Sequence, residues 1–182
     1  MSFLNGASRT LVALTDATIV KTISLAADAF GRPNTNPPGI VDQDNLTLYA
    51  FTLNTDSMTL KFPIPWDYVS GDITFNVTWT NDGGADDNGK FVKWQLDYQV
   101  GSTGSVISGS HANSPKVVED AYSSASGFVE EHSGNMAIAA ADFAGEECMY
   151  LKLSAVTPDG TALTCEPHLL GICYVYTAYI NQ

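Results

Sequence analysis

Two segments with strictly alternating side chains constrain the fold most. Asp72–Thr80 reads D-I-T-F-N-V-T-W-T, and Phe91–Val100 reads F-V-K-W-Q-L-D-Y-Q-V. A strand directs successive side chains to opposite faces, so each segment has one apolar face and one polar face. The ten residues Asn81–Lys90 between them consist mostly of Asn, Asp and Gly, which are turn formers. The pattern predicts an antiparallel hairpin with one face on a core.

Further apolar or alternating segments predict additional strands along the whole chain. They lie at Thr10–Leu14, Thr18–Leu25, Leu46–Leu53, Met58–Phe62, Val106–Gly109, Lys116–Ala121, Ser126–His132, Met149–Ala155 and Leu170–Ile180. The Ala-rich segment Asn135–Phe143 predicts one helical turn or an irregular crossing. Many short strands separated by turns are typical of a sandwich or a barrel.

The cysteines and tryptophans narrow the choice of sandwich. All three tryptophans precede all three cysteines, so the Cys-Trp-Cys order of immunoglobulin domains is absent. A jelly roll with two sheets of about four strands fits the strand number and the long connections. The sequence therefore predicts an all-β fold, a single jelly-roll-like antiparallel β-sandwich over residues 1–182.

A proline-rich segment interrupts the first third of the chain. Phe30–Asn45 contains Pro33, Pro37 and Pro38, and it predicts a long loop or an extended arm within residues 1–45. Long loops of this kind are often functional or interfacial. Two alternatives follow, packing along the domain's own surface or contact with another subunit. In the second case Arg32 and the three prolines would contact the partner.

Charge and composition exclude several classes of function. The net charge is −12, and the part of the chain after Lys116 has nine acidic residues but only one basic residue, Lys152. Without a cluster of Lys and Arg we expect no binding to nucleic acid. No apolar run approaches the roughly 20 residues that cross a bilayer, so we expect no membrane association.

The N-terminal sequence and the cysteine number indicate the cellular compartment. Met1–Arg9 lacks the cationic start and the apolar stretch of a secretion signal. An odd number of cysteines without such a signal favours reduced thiols. We therefore expect the chain to fold in a cytoplasm, which is compatible with later release inside a larger particle.

The acidic turn is the best candidate for a metal site. Asp82, Asp86, Asp87 and Asn88 offer the oxygen ligands that calcium prefers. However, no glutamate closes the segment at the position that an EF-hand loop requires, and Asp-Gly and Asn-Gly also suit an ordinary turn. We therefore expect a solvated turn without a metal.

Histidines and cysteines do not form a recognisable catalytic or metal-binding motif. They are His111, His132, His168, Cys148, Cys165 and Cys173. No H-E-x-x-H, C-x-x-C or G-x-S-x-G pattern occurs, so buried thiols are the favoured interpretation. The sequence predicts no catalytic residue, no cofactor and no enzymatic activity.

The tryptophans divide into two groups. Trp79 and Trp94 lie in phase with the apolar faces of the alternating segments, which predicts that they belong to the core. Trp66 and Tyr68 precede the first of these segments, outside its alternation, which predicts partial exposure. They are candidate contact residues, either as a stacking platform for a sugar or as part of a subunit interface.

One region resembles a known family of proteins. The segment F-P-I-P-W-D-Y-V-S-G-D-I-T-F-N-V-T-W-T, followed by the Asn/Asp/Gly turn and F-V-K-W-Q-L-D-Y, spans Phe62–Tyr98. It resembles small β-sandwich proteins on the virion surface of tailed bacteriophages. Ile138–Glu146 and Tyr150–Leu153 are similar to the end of the same proteins, whereas Cys165–Cys173 departs from them.

The resemblance implies a structural role. Proteins of this type are jelly-roll decoration or cement subunits, often trimeric, or knobs of fibres. The resemblance thus implies a phage capsid decoration subunit on the capsid surface of the virion, assembled in the host cytoplasm. Its expected partners are the major capsid protein and two further copies in a homotrimer. The alternative is a receptor- or carbohydrate-binding head of a fibre or tail.

Overall fold

The fold is an antiparallel β-sandwich, as predicted. The structure, a computed structural model, describes residues 17–44, 46–106, 111, 113 and 115–180. Seven strands form the first sheet, sheet A. They are β1 (Thr18–Ala26), β2 (Gly39–Gln43), β3 (Leu46–Ala50), β5 (Tyr68–Thr80), β8 (Glu131–His132), β9 (Met136–Ile138) and β11 (His168–Tyr179).

Four strands form the second sheet, sheet B, in the order β4-β10-β6-β7. They are β4 (Ser57–Pro63), β6 (Phe91–Gly101), β7 (Lys116–Ala121) and β10 (Cys148–Val156). Helix α1 (Ala140–Phe143) is a single turn between β9 and β10. None of the helices in the described part of the chain is long and apolar enough to cross a membrane.

The core lies between the inner faces of the two sheets and follows the alternation of the sequence. Phe75, Val77 and Trp79 on β5 are fully buried, as are Trp94 and Leu96 on β6. Each such side chain stabilises the fold by about 1.5–3 kcal/mol relative to an exposed position. The predicted core role of both tryptophans is confirmed.

The predicted hairpin between the two alternating segments is wrong. Strand β5 pairs with β11 in sheet A, whereas β6 pairs with β10 and β7 in sheet B. The connection Asn81–Lys90 therefore crosses from one sheet to the other. Trp79 and Trp94 face each other across the core, with ring centroids 6.3 Å apart at 66°. Alternation fits both arrangements, because it defines the buried face of a strand and not its hydrogen-bonded neighbour.

The proline-rich segment packs against the domain itself and is not wholly a loop. Its last residues, Gly39–Gln43, form β2, because the prolines all precede this stretch and leave its backbone free to pair. Gly31 exchanges two backbone hydrogen bonds with Thr59 of β4, at 2.7 and 3.0 Å. The amide of Ser57 donates to the carbonyl of Asn36 at 3.1 Å. The segment thus covers the outer edge of β4.

Other strand predictions differ from the structure in extent. Only Glu131–His132 of the predicted strand Ser126–His132 is extended, because Phe128 adopts a φ of 58° that interrupts the strand. The Ala-rich segment forms β9 and α1, and so contains the expected helical turn. The predicted strand Thr10–Leu14, the start of the predicted arm within residues 1–45, and residues 107–109 of the predicted strand Val106–Gly109 lie outside the described residues.

Candidate functional site

A tight turn between β4 and β5 exposes a tryptophan. The amide of Tyr68 donates to the carbonyl of Pro65 at 3.0 Å and closes the turn. Trp66 lies within it and is 84% exposed. It is the most exposed of the large apolar side chains of the described residues. The predicted exposure of this ring is therefore present in the structure.

The next residue, Asp67, fixes the turn to the sandwich. Its side chain is buried and accepts hydrogen bonds from the Lys21 ammonium of β1 and, at 3.0 Å, from the Tyr176 hydroxyl of β11. Its carbonyl accepts the amide of Tyr179 at 3.0 Å. The bond from Lys21 holds the pKa of Asp67 below its usual value. Burial and the neighbouring carboxylate raise the pKa of Tyr176 to about 12. The turn is thus held by the buried Asp67 carboxylate and its hydrogen bonds, which leave Trp66 outside.

Tyr68 takes a different position from Trp66. Its hydroxyl donates to the carbonyl of Gly71 at 2.5 Å. Its ring packs edge-to-face against the ring of Phe143, with the two ring centroids 5.3 Å apart. Burial raises its pKa. Tyr68 therefore belongs to the wall of a groove of about 380 Å³ and not to a free stacking platform. The groove is also lined by Ile64, Val69, Ser70, Gly71, Ala140, Phe143, Ala144, Gly145 and Glu146.

Further exposed apolar side chains lie at the same end of sheet A. Val20 is 65% exposed, and Ile19, Tyr179 and Ile180 are each about half exposed. The pairing of β1 with β11 brings Ile19 and Val20 beside the end of β11, where the Tyr179 amide binds the turn. Ile19 and Val20 are consecutive on β1 and point to opposite faces, so these side chains are grouped at one end of sheet A and do not form a single face. We call these four residues and Trp66 the Trp66 patch. Exposed apolar side chains grouped in this way often mark interaction sites.

The other predicted contact residues lie on the segment that covers β4. The Arg32 guanidinium donates to the carbonyl of Pro38 at 2.6 Å, so the arginine stabilises the conformation of its own segment. Pro38 is buried, Pro33 is half-buried and Pro37 is exposed. Of these four side chains, Arg32 and Pro37 are open to solvent, and Arg32 is held by the segment itself.

The prediction of a solvated acidic turn is wrong for Asp87. Asp87 is fully buried, and so is Asn81 just before the four residues of that turn, whereas Asp82, Asp86 and Asn88 are exposed. The sequence did not indicate this burial, because Asn, Asp and Gly form turns whether the turn is buried or exposed to water.

Both buried side chains hold the segment before β11. Asp87 accepts hydrogen bonds from the Thr164 amide at 2.7 Å, the Thr164 hydroxyl at 2.5 Å and the Cys165 amide at 3.0 Å. The Asn81 amide group donates to the carbonyls of Cys165 and Glu166, each at 3.3 Å. The Asp87 carboxylate therefore serves as an internal hydrogen-bond acceptor.

Thiols and imidazoles are dispersed over the fold. Cys148 is buried as expected, while Cys165 and Cys173 are half-buried, and all three are free thiols. His168 is buried in β11, and His132 is exposed on β8, 3.0 Å from Glu130. No group of three His, Cys, Asp or Glu side chains among the described residues could hold a metal ion.

Comparisons with known proteins assign no family. No family model matches the sequence, and no curated protein matches it significantly. The chain is similar in structure to an exo-β-1,3-galactanase from Phanerochaete chrysosporium, with a TM-score of 0.49 and 10% identity over 86% of this chain and 29% of that one. It is also similar to a chain in the structure of the infectious bursal disease virus Gx strain. The TM-score is 0.44, and the identity is 11% over 91% of this chain and 33% of that one.

A family two carbohydrate esterase from Cellvibrio japonicus is a third structure of this kind, with a TM-score of 0.40 and 8% identity over 90% of this chain and 35% of that one. The chain spans about a third of the length of these structures. They include a virus and two carbohydrate-active enzymes, and likeness at this level assigns no activity to this chain.

Proposed function

We propose that this chain is a structural protein of a tailed-phage virion, a capsid decoration or cement subunit. In this proposal it binds the major capsid protein on the particle surface as a homotrimer. The observation that carries the proposal is the exposed Trp66 on a turn that the buried Asp67 carboxylate, bonded to Lys21, holds in place. The segment that resembles phage virion proteins, Phe62–Tyr98, contains this turn.

A rigidly presented tryptophan is suited to anchor a protein partner. An indole buries about 150–250 Å², which corresponds to at most about 6 kcal/mol at about 25 cal/mol per Å². Truncation of such anchors typically costs about 2–4 kcal/mol of binding free energy. Because the turn is already ordered, binding loses little conformational entropy there. The Trp66 patch is therefore the proposed attachment site.

Binding to capsids that lack this protein tests the proposal. We expect the wild type to attach stoichiometrically and to sediment with the particles. Trp66→Ala should weaken attachment by about 30-fold or more, which corresponds to about 2 kcal/mol, while its thermal unfolding stays unchanged. Val106→Ala removes another apolar side chain of similar exposure, 83%, outside the patch and should attach normally. Equal attachment of wild type and Trp66→Ala would overturn the proposal.

A second candidate is a receptor- or carbohydrate-binding head of a fibre or tail. The exposed Trp66 ring on the turn next to the groove favours it, because sugars stack on such rings. Binding to host polysaccharide should then be lost in Trp66→Ala. It should persist in Tyr68→Phe, because the Tyr68 hydroxyl is already bonded to Gly71. Polysaccharide binding without capsid attachment would select this candidate over the first.

A further inference from the structure

A row of polar side chains crosses three strands at one end of sheet B. Ser57 of β4, Ser154 of β10 and Gln95 of β6 are directly opposed in the pairing register. Directly opposed residues of antiparallel strands point to the same face. On β4 and β10 the two serines alternate with the core side chains Met58 and Leu153. The row therefore lies on the outer face of sheet B.

The two serines are nevertheless buried. Ser57 is 9% exposed and Ser154 is 8% exposed, and both line a cavity of about 210 Å³ that we call the Ser154 cavity. Its walls include Asp56, Gln95 and Lys152. No hydrogen bond joins either serine hydroxyl to another of the described residues. Because buried polar groups in proteins are nearly always hydrogen-bonded, two unbonded hydroxyls that face one cavity point to a ligand.

The walls of the Ser154 cavity offer both donors and acceptors of hydrogen bonds. Asp56 is buried, and one of its carboxylate oxygens accepts the amide of Thr52 at 2.7 Å. The Gln95 amide group donates to Asp97 at 3.0 Å, which leaves its carbonyl oxygen as an acceptor. Lys152 contributes an ammonium group, which can only donate. A ligand in the cavity therefore meets donors and acceptors side by side.

The charges around the cavity favour a neutral ligand. The Lys152 ammonium lies 3.9 Å from the Asp97 carboxylate, so its charge is already balanced within the sandwich. An anion would also approach the buried Asp56 carboxylate, whereas a cation would approach Lys152. Val156 is the only apolar residue of the lining, so an apolar ligand would cover polar walls without bonding to them. The chemistry that remains is a neutral ligand with several hydroxyl groups.

We propose that the Ser154 cavity binds one neutral sugar unit. Each sugar hydroxyl can both donate and accept hydrogen bonds, which matches the mixed character of Ser57, Ser154, Gln95 and Lys152. The volume of about 210 Å³ lies below the roughly 300–1,000 Å³ of pockets for drug-sized ligands, so it suits a single ring. Its floor consists of paired strands, so binding loses little conformational entropy there.

The cavity is remote from the Trp66 patch. It lies at the first residue of β4, whereas the turn with Trp66 follows the last residue of the same strand, Pro63. The seven residues of β4 at about 3.3 Å each separate the two by about 20 Å. The inference therefore depends neither on capsid attachment nor on polysaccharide binding at Trp66, and either can fail without the other.

Amide NMR spectra of the wild type, recorded with rising concentrations of glucose, galactose, mannose or N-acetylglucosamine, test the proposal. We expect at least one of these sugars to shift the signals of Ser57, Gln95 and Ser154. The dissociation constant should lie in the millimolar range, because a single sugar unit offers few atoms for contact. The signals of the Trp66 turn should stay in place. Shifts confined to that turn, or no shift with any of the four sugars, would overturn the proposal.

Removing either hydroxyl separates a ligand role from a structural role. Ser57→Ala and Ser154→Ala should each weaken sugar binding by about three- to tenfold, the factor expected of one hydrogen bond between neutral groups. Their thermal stability should not fall, because neither hydroxyl bonds to another of the described residues. Ser154→Leu fills the cavity and should abolish binding.

Ser24→Ala is the matched control. It removes an exposed serine hydroxyl from sheet A and should leave sugar binding at the wild-type level. Wild-type affinity in both Ser57→Ala and Ser154→Ala would contradict the proposal, and so would an equal loss in Ser24→Ala.

Three further probes define the class of ligand. Glycerol offers hydroxyl groups without a ring, and inorganic phosphate offers an anion, so neither should shift the cavity signals as the sugar does. Tighter binding of phosphate than of any sugar would identify an anion site at Lys152 and refute the proposal. The methyl glycoside of the bound sugar identifies its source. Binding at least as tight as that of the free sugar indicates the end of a polysaccharide, and weaker binding indicates a free sugar.

Discussion

Replacing Asp87 by alanine tests how the connection between the two sheets is stabilised. The carboxylate is fully buried and accepts hydrogen bonds from the amides of Thr164 and Cys165 and from the Thr164 hydroxyl. Lys90 also donates to it at 3.3 Å. Asp87→Ala therefore removes the acceptor for two backbone amides and the partner of one ammonium group.

The expected loss follows from these bonds. Each buried amide that loses its acceptor costs about 1–3 kcal/mol, and separating a buried ion pair costs about 3–5 kcal/mol when water cannot enter. Because Thr164 is exposed, water recovers part of this loss. We therefore expect Asp87→Ala to lower the free energy of unfolding by about 2–4 kcal/mol, a large part of the roughly 5–15 kcal/mol typical of a domain.

Urea unfolding at neutral pH measures this loss, with Asp86→Ala as the matched control. Asp86 is the exposed neighbour in the same connection, and its removal should change the free energy of unfolding by less than about 0.5 kcal/mol. If the free energies of unfolding of Asp87→Ala and Asp86→Ala agree within about 0.5 kcal/mol, the hydrogen bonds of the Asp87 carboxylate do not contribute to stability.

The pH dependence of the stability difference between the wild type and Asp87→Ala gives an independent check. Burial alone would favour the neutral acid, but the hydrogen bonds from Thr164, Cys165 and Lys90 lower the pKa of Asp87 below its ordinary value of 3.8. The stabilisation is therefore complete above about pH 4 and is lost as the pH falls through the lowered pKa. The difference between wild type and Asp87→Ala should shrink only in that acidic range.

Two further predictions concern buried side chains of sheets A and B. The Trp79 indole donates to Asp120 at 2.7 Å, whereas the Trp94 indole N–H has no acceptor among the described residues. Trp79→Phe should therefore destabilise the fold by about 1–3 kcal/mol more than Trp94→Phe in chemical denaturation, and equal losses would argue against the Asp120 bond. Burial lowers the pKa of His168 from its ordinary value of 6.5. The unfolded chain then binds a proton before the native chain does, so stability should fall as the pH drops below about 6.5. Between pH 7 and 5, the melting temperature of His168→Gln should decline less than that of the wild type. The melting temperature of His132→Gln should decline as much as that of the wild type.

The alternating segments show how far sequence reasoning extends for this fold. They correctly indicated the buried faces of β5 and β6 and the core positions of Trp79 and Trp94, because alternation is a local property. They did not indicate which strands pair, because a strand's hydrogen-bonded neighbour is chosen by distant parts of the chain. Trp66 was recognised as exposed for the same local reason, since it lies outside the alternation.

The buried carboxylates could not be recognised from the sequence. Asp87 meets Thr164, which is 77 residues away, and Asp67 meets Lys21, which is 46 residues away. Composition alone makes such side chains look like ordinary surface acids.

The position of β11 has a consequence for how the chain folds. This strand follows all the others along the sequence, yet it pairs with β1, β3 and β5 and lies inside sheet A. On a ribosome, the earlier strands of this sheet would emerge long before the strand that joins them. The pairs that join β1, β3 and β5 into one sheet must therefore wait until translation has passed Tyr179, and long-range pairing of this kind is intrinsically slow. During that interval the unpaired edges of these strands are open to association with other chains.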